Sequence, residues 1–513
     1  MRKSIASVLA ALLVIGLLAG CGSSGQTSGS TNTAGSTNTQ ATTEQPQATS
    51  EEPYEVTLMY SVGTDYPDQD EVTAAMQELA LKELNMKLNV VTVPSSYTQQ
   101  LTLRLTGGEP LDVFPIPGSP MTYISNGYCV DLGDLIDKYG NNIKSIFGDE
   151  AKIANINGYV YAIPIVKERD YAGGMIMRKD ILDQCGLDLG KDCENLNSLE
   201  DLTEVFATVH EKFPNMVVFG GGYAYTPASM YLGRHIDNIG SDFGVLLDPV
   251  NDTTVSNWFE SDEYIRRCKL MREWYLAGYV QKDLATSTDS GTQQMRAGNL
   301  FCDFDLVKPY RDVEATLATG YECVYFPFDE PLKNSCTLLD GWGIATNSEN
   351  PDKAMQFLDY LYGSAEFMDL WNWGIEGKHF VYQDKGNSTI VTYPEGVDMD
   401  NVGYHQNRGW TLPNQYIAGI WEGNPADLAD VMTKYNADMD VSLAYGFQFD
   451  AADYETEIAN LTAIRDKYAF AIGSGSVDPE TEIPKFNEEL YAAGLQKVMD
   501  AKQEQLNAWL ANK

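Results

Sequence analysis

The chain opens its folded part with two rounds of one pattern. Glu55-Val56-Thr57-Leu58-Met59-Tyr60 alternates as a half-buried strand does, and Ser61 to Asp70 is a loop rich in Gly, Asp and Pro. Val72, Met76, Leu79, Ala80 and Leu84 then recur at helical spacing until Asn85, and Lys87 to Val93 alternates again. The second round predicts a helix near Tyr97–Leu105, a break at Gly107-Gly108 and a strand from Leu111 to Ile116. Strands alternating with helices predict a parallel α/β sheet. In open sheets of that kind the ligand crevice lies beyond the carboxyl ends of the strands, which here means Ser61–Asp65 and Pro117–Ser119.

Asn350-Pro351 reads as a helix start, an N-cap followed by proline at the first helical position. Ala354, Leu358 and Leu361 form its inward stripe and Gly363 ends it. Two C-terminal helices are predicted at about Tyr454–Phe470 and Phe486–Leu510, the latter docking through Leu490, Leu495, Val498, Leu506 and Leu510. No short internal repeat is evident.

The N-terminus is different in kind. Arg2-Lys3 precede an apolar run from Ile5 to Leu18, the charged start and short hydrophobic core of a secretory signal, too short to span a bilayer comfortably. Leu18-Ala19-Gly20-Cys21 resembles the lipobox of bacterial lipoproteins. That resemblance implies removal of 1–20 and acylation of Cys21; the alternative is an ordinary signal peptide with an incidental cysteine. Two or more acyl chains hold a protein durably at a membrane, each buried methylene contributing about 0.8 kcal/mol. Residues 21–53 are nearly all Gly, Ser, Thr, Asn, Gln and Ala with no Lys or Arg, the composition of a disordered tether.

From Tyr54 to Lys513 the chain is long enough for two or three lobes. The formal charge is −38, and two units more negative once Arg2 and Lys3 leave, so nucleic acid and other polyanions are repelled. Seven cysteines besides Cys21 are scattered, with no CxxC spacing; Cys185 and Cys193 are close enough in sequence to pair, and the others read as small buried hydrophobes. The four histidines stand alone, so no zinc or haem site and no cofactor is expected. Asp65-Tyr66-Pro67-Asp68-Gln69-Asp70 lacks the spacing and glycine of a calcium-binding loop.

Four segments taken in order carry a resemblance. They are Ile156-Asn157-Gly158-Tyr159-Val160-Tyr161-Ala162-Ile163-Pro164; Gly341-Trp342-Gly343-Ile344-Ala345 running into Asn350-Pro351-Asp352-Lys353-Ala354; Trp371-Asn372-Trp373-Gly374-Ile375-Glu376-Gly377-Lys378-His379; and a tail holding Gly446–Asp450, Val477–Glu480 and Ala493–Trp509. Together they resemble the extracellular solute-binding lipoproteins of carbohydrate ABC importers, family 1 type, in a large-lipoprotein subgroup common in Firmicutes. The resemblance runs from Cys21 to the end, and the last two motifs are its most specific parts. Tryptophan is denser over Met368–Trp373 than the family pattern leads one to expect.

The resemblance implies an α/β, two-lobe periplasmic-binding-protein-like fold with a cleft between lobes and discontinuous domains. The first lobe would hold 54–165 and 330–376, the second 166–329 and 377–513, with Pro164 and Pro327 near the hinges. A neutral sugar offers hydroxyls and weakly apolar C–H faces, which carboxylates, amides and aromatic rings recognise. Trp342, flanked by glycines, is either a cleft ring or a core tryptophan. Trp371 and Trp373 cannot both face one way, and Trp373 is the one assigned to the cleft. Tyr225, after Gly220-Gly221-Gly222, and Trp410 are candidates from the second lobe; Asp65 is a hydroxyl-binding candidate in the loop after the first strand. Glu376 is either a ligand contact or a cap on a backbone turn. Lys167-Glu168-Arg169-Asp170 is a mixed-charge cluster suited to an interlobe salt bridge as much as to a sugar.

The function expected is capture of an oligosaccharide by a monomer that delivers it to ABC permease subunits, without enzymatic activity and without a nucleic-acid partner. A surface glycoside hydrolase is the rival; it would need two carboxylates about 5 Å or 6.5–9.5 Å apart across a cleft. A receptor for peptides or cations, drawn by the acidic surface, is the third reading.

Overall fold

In the computed structural model, residues 52–513 are described except 119, 191–192, 223–225, 229–235, 336–340, 385 and 387. Cys21, the tether as far as residue 51, Ser119, Tyr225 and Cys336 therefore lie outside the described residues.

The opening pattern folds as its periodicity dictates. Strand β1 (Tyr54–Ser61) pairs in parallel with β2 (Met86–Val93) along its whole length, and α1 (Gln69–Leu84) crosses between them. The buried stripe of α1 is Val72, Met76, Leu79 and Ala80, and Asn85 in left-handed conformation returns its N–H to the carbonyls of Ala80 and Leu81. Helix α2 (Tyr97–Gly107) ends at left-handed Gly108 and leads to β3 (Val113–Pro115), a shorter strand than the alternation predicts. Beyond it are β4 (Ile163–Pro164), β5 (Ala172–Arg178), β6 (Val217–Gly220), β7 (Leu300–Val307), β8 (Cys323–Pro327) and β9 (Gly341–Ile344).

These strands form two separate sheets. The first has the order β2-β1-β3-β9-β4, with β9 antiparallel to both neighbours. The second has the order β8-β5-β7-β6, and every residue of its inner strand β5 is buried. Each sheet has its own core. Val56, Leu58, Met76, Ile136, Trp342, Leu358 and Trp371 cluster on the first; Met175, Phe206, Phe219, Trp274 and Phe301 cluster on the second.

Two helices follow β9: α3 (Pro351–Gly363), whose N-cap Asn350 accepts from the Lys353 N–H at 3.1 Å, and α4 (Ala365–Trp373). The C-terminal part forms α5 (Glu455–Gly473), α6 (Pro479–Ala492) and α7 (Leu495–Leu510). A single helix over Phe486–Leu510 is thus corrected to two, divided at Gly494, whose φ of 104° no helix interior accommodates. Leu490, Leu495, Val498 and Leu506 are buried in the second core, each such side chain stabilising by roughly 1.5–3 kcal/mol.

The chain passes three times between the cores: over 165–171, between Phe326 and Trp342, and between Ala418 and Ala444. Tyr404, Leu412 and Ala418 pack in the first core, although the expected boundaries place them in the second lobe. Sequence spacing gives no sign of this return, because it depends on hydrogen bonds between distant segments, among them Tyr404 Oη to the Trp371 carbonyl at 2.7 Å, Arg408 N–H to Asn372 Oδ1 at 2.8 Å and Asn414 Nδ2 to the Tyr362 carbonyl at 2.9 Å, and on burial against α4. Among the described residues no helix is long and apolar enough to cross a membrane.

Candidate functional site

The first crossover carries the charge cluster, and its buried member is Glu168, only 3% exposed. Its carboxylate accepts from Tyr171 Oη at 2.6 Å, Lys308 Nζ at 3.0 Å, Gln415 Nε2 at 3.0 Å and Tyr416 Oη at 3.2 Å. Lys308 follows β7 in the second lobe. Gln415 and Tyr416 lie beside Leu412 and Ala418 of the first core. One carboxylate therefore binds groups from both sides of the junction. Burial alone would raise its pKa, but the Lys308 charge and the Tyr171 hydrogen bond outweigh that and hold it at about 2. Burial and the adjacent Glu168 charge keep the phenols of Tyr171 and Tyr416 protonated far above their usual range.

Lys308 also pairs with Glu314 at 3.1 Å, and Arg311 holds both Glu314 and Asp305. On the other side of the crossover Arg169 pairs with Glu150 at 3.0 Å, and Glu150 accepts from Tyr445 Oη at 2.9 Å. The Asp170 carboxylate accepts from the Leu332 N–H at 3.1 Å, fastening the first crossover to the second. The Arg169 N–H donates to Asn436 Oδ1 at 2.7 Å, fastening it to the third. The mixed-charge cluster is thus a set of interlobe ties, the structural alternative offered by its sequence.

A rim rises from this floor on the first-lobe side. Gly409 packs against Gln415, where a Cβ would come within 3.1 Å of the Gln415 Cβ, so the next residue, Trp410, stands close to the Glu168 cluster. Its side chain is 50% exposed, the largest exposed ring among the described residues. Arg408 lies beside Gly63 in the loop that follows β1, and Tyr66 of that loop packs on Tyr404 with ring centroids 5.0 Å apart. Asp65 is exposed in the same loop. The loop is pinned from behind: Asp68 pairs with Lys378 at 2.9 Å and with His379 Nε2 at 3.0 Å. Because His379 Nδ1 accepts from the Ile375 N–H at 2.8 Å, the ring proton sits on Nε2 and is donated to Asp68. That bond, with Lys378, holds the Asp68 carboxyl below its ordinary pKa.

The Trp371–His379 motif is therefore a structural knot that fixes the loop after β1. Glu376 sits exposed on its turn. Trp371 and Trp373 are both buried, in different clusters, and Trp373 Nε1 donates to the Gly419 carbonyl at 2.9 Å while its ring packs on His405 and Trp421. Trp342 is 1% exposed on β9, an inner strand of the first sheet, its ring 5.4 Å from that of Trp371. The assignment of Trp342 and Trp373 to a cleft surface is corrected. The glycines beside Trp342 serve close strand packing, since a Cβ at Gly341 would meet the Ile163 carbonyl oxygen at 2.6 Å and one at Gly343 the Tyr161 carbonyl oxygen at 3.1 Å. Trp410 keeps its exposure but stands on the first-lobe side. Lys308, Arg408 and Gln415 were not singled out from the sequence, and no local pattern marks them. Cys185 and Cys193 are both free thiols. No group of three or more metal-ligating side chains occurs among the described residues.

Residues 66–366 match the bacterial extracellular solute-binding protein family. The chain belongs to that family. Residues 443–511 match a second family model, a domain of unknown function, DUF3502. A relative from Streptococcus pneumoniae described as a carbohydrate ABC transporter substrate-binding protein is 26% identical over 466 residues, covering 89% of this chain and 91% of the relative. Among solved structures, the N-glycan transport solute-binding protein NgtS of S. pneumoniae superposes with a TM-score of 0.78 at 24% identity, over 90% of this chain and 99% of that one. Its complex with Man5GlcNAc superposes at 0.69, also at 24% identity and over the same shares of both chains. The S. pneumoniae substrate-binding protein FusA in complex with kestose superposes at 0.62, at 17% identity over 90% of this chain and all of that one. These likenesses give the fold: two α/β lobes of the solute-binding type, joined by the crossovers described above.

Proposed function

We propose that this family member captures an oligosaccharide between its two lobes and passes it to the membrane permease of an ABC importer, as a binding protein without enzymatic activity. The observation that carries the reading is the buried Glu168 carboxylate binding groups from both lobes, with the half-exposed Trp410 following Gly409, which packs on Gln415 of that cluster. An exposed ring offers a stacking face to a sugar, and guanidinium and amide groups such as those of Arg408 and Gln415 suit hydroxyls. The names of the relatives supply the ligand class: N-glycan fragments and fructo-oligosaccharides in their structures.

In this reading Asp65, Arg408 and Trp410 form the first-lobe wall, with Tyr225 and the residues around Gly220–Gly222 opposite. The first lobe runs over 54–165 and 341–421, the second over 172–327 and 444–513. Cys21 is the lipidated end of the mature chain, which works as a monomer outside the cytoplasm, held to the membrane by the 22–53 tether. The strongly acidic surface argues against a nucleic-acid partner.

The test is calorimetry and melting of purified 54–513 against mannose-rich N-glycan fragments, fructo-oligosaccharides and peptides, with products assayed by reducing-end chemistry. A saturable heat and a raised Tm with one glycan class and no new reducing ends is the expected result. New reducing ends would install the hydrolase reading, and a response to peptides alone the receptor reading.

A further inference from the structure

Asp303 lies on β7 directly opposite Gly220, the last residue of β6. Two glycines from two loops close on its carboxylate. A Cβ at Gly221 would come 2.3 Å from Asp303 Oδ1, and one at Gly291 would come 1.7 Å from Oδ2. Gly222 is similarly confined, with a Cβ there 2.1 Å from the Asp289 carbonyl oxygen. Gly221 also has a φ of 128°, a conformation costly for any other residue. Glycine thus stands at two positions against one acid, and at a third, Gly222, against the neighbouring Asp289 backbone.

Among the described residues no side chain donates a hydrogen bond to the Asp303 carboxylate, and only the Phe304 N–H reaches it. The one cation that acts on it among the described residues, Arg311, is engaged by Asp305 and by Glu314 at 3.0 Å. Burial, reinforced by Asp305 and only partly opposed by Arg311, pushes the carboxyl well above its ordinary pKa. A half-buried acid with one backbone donor and no side-chain donor opposes folding when charged, and such groups persist where an external partner satisfies them. Asp303 keeps some solvent access and lies where β6 gives way to the Gly220–Gly222 loop, at the carboxyl end of a strand, where crevices of this architecture form.

We propose that Asp303 is a ligand-contacting residue of the second lobe, hydrogen-bonding adjacent hydroxyls of a neutral sugar ring that reaches it past Gly221. The inference rests on oligosaccharide capture and deepens it: with Asp305 beside Asp303, this subsite takes neutral rings and rejects uronic or sialic acids.

The test is Asp303→Asn, which keeps the shape and removes the charge. Ligand-free, the variant should melt above wild type at pH 7. The raised pKa makes the acid's cost grow as pH rises above the ordinary value of 3.8, so the gap should close as pH falls toward that value. By calorimetry the variant should bind a glycan that binds wild type about tenfold or more weakly, a loss on the order of 1.4 kcal/mol or more. A variant that melts lower or fails to fold makes Asp303 a structural residue and overturns the proposal, as does unchanged affinity. Tighter binding by wild type of a uronate-ended glycan than of its neutral counterpart overturns the ligand class. If wild type itself binds no glycan, the oligosaccharide reading falls and this one with it, an outcome separate from a defect confined to the variant.

Discussion

Replacing Glu168 by glutamine removes one charge from the junction and leaves its size. The Glu168 carboxyl falls from an ordinary 4.5 to about 2 on folding. At about 1.36 kcal/mol per pKa unit, that difference stabilises the folded state by on the order of 3 kcal/mol at pH 7. The figure agrees with the roughly 3–5 kcal/mol lost when one partner of a buried pair is removed, at the lower end because Lys308 retains Glu314 at 3.1 Å. The sign follows from the direction of the shift. A depressed pKa contributes above the unfolded value and is lost as pH falls from about 4.5 through about 2, so near pH 3 roughly half should remain. Denaturant unfolding of wild type and Glu168→Gln at pH 7 and pH 3 reads both numbers. A stability gap under about 0.5 kcal/mol at pH 7 would refute the reasoning, because exposed ion pairs reach that without any junction. A gap that does not narrow at pH 3 would refute it equally, since the loss would then be one of packing and not of charge. Hydrogen exchange over 165–171 should rise in the variant, as four donors lose the charge that orders the crossover.

The remaining expectations separate wall from core. Trp410→Ala should weaken glycan binding by about 1–3 kcal/mol and leave Tm nearly unchanged, since half of the ring is already in solvent; calorimetry beside a melting curve checks both. Trp342→Ala should cost about 3–5 kcal/mol of unfolding free energy, as for a large buried ring in a packed sheet. Cys21→Ala should abolish labelling by a palmitate analogue and release the protein from the membrane fraction; retained label would end the lipid-anchor reading.

Local pattern determined more of this protein than its candidate site suggests. The β1-α1-β2 unit, the Asn350-Pro351 helix start and the C-terminal stripe were legible because period, caps and breaks are properties of neighbouring residues. The two-lobe fold came instead from the resemblance that the four motifs carry in order. Tertiary structure alone decided which aromatic rings face outward. Trp342 and Trp373 have glycine neighbours that suit a projecting loop as well as a tight strand or turn, and close approach of the Ile163 backbone and of Gly419 selected burial. Trp410 changed lobes because Tyr404 and Leu412 return to the first core, a contact between distant segments. Glu168 reads in sequence as one charge in a run of four. Its four partners come from positions 3 to 248 residues away, and only the folded chain brings that many donors to one carboxylate.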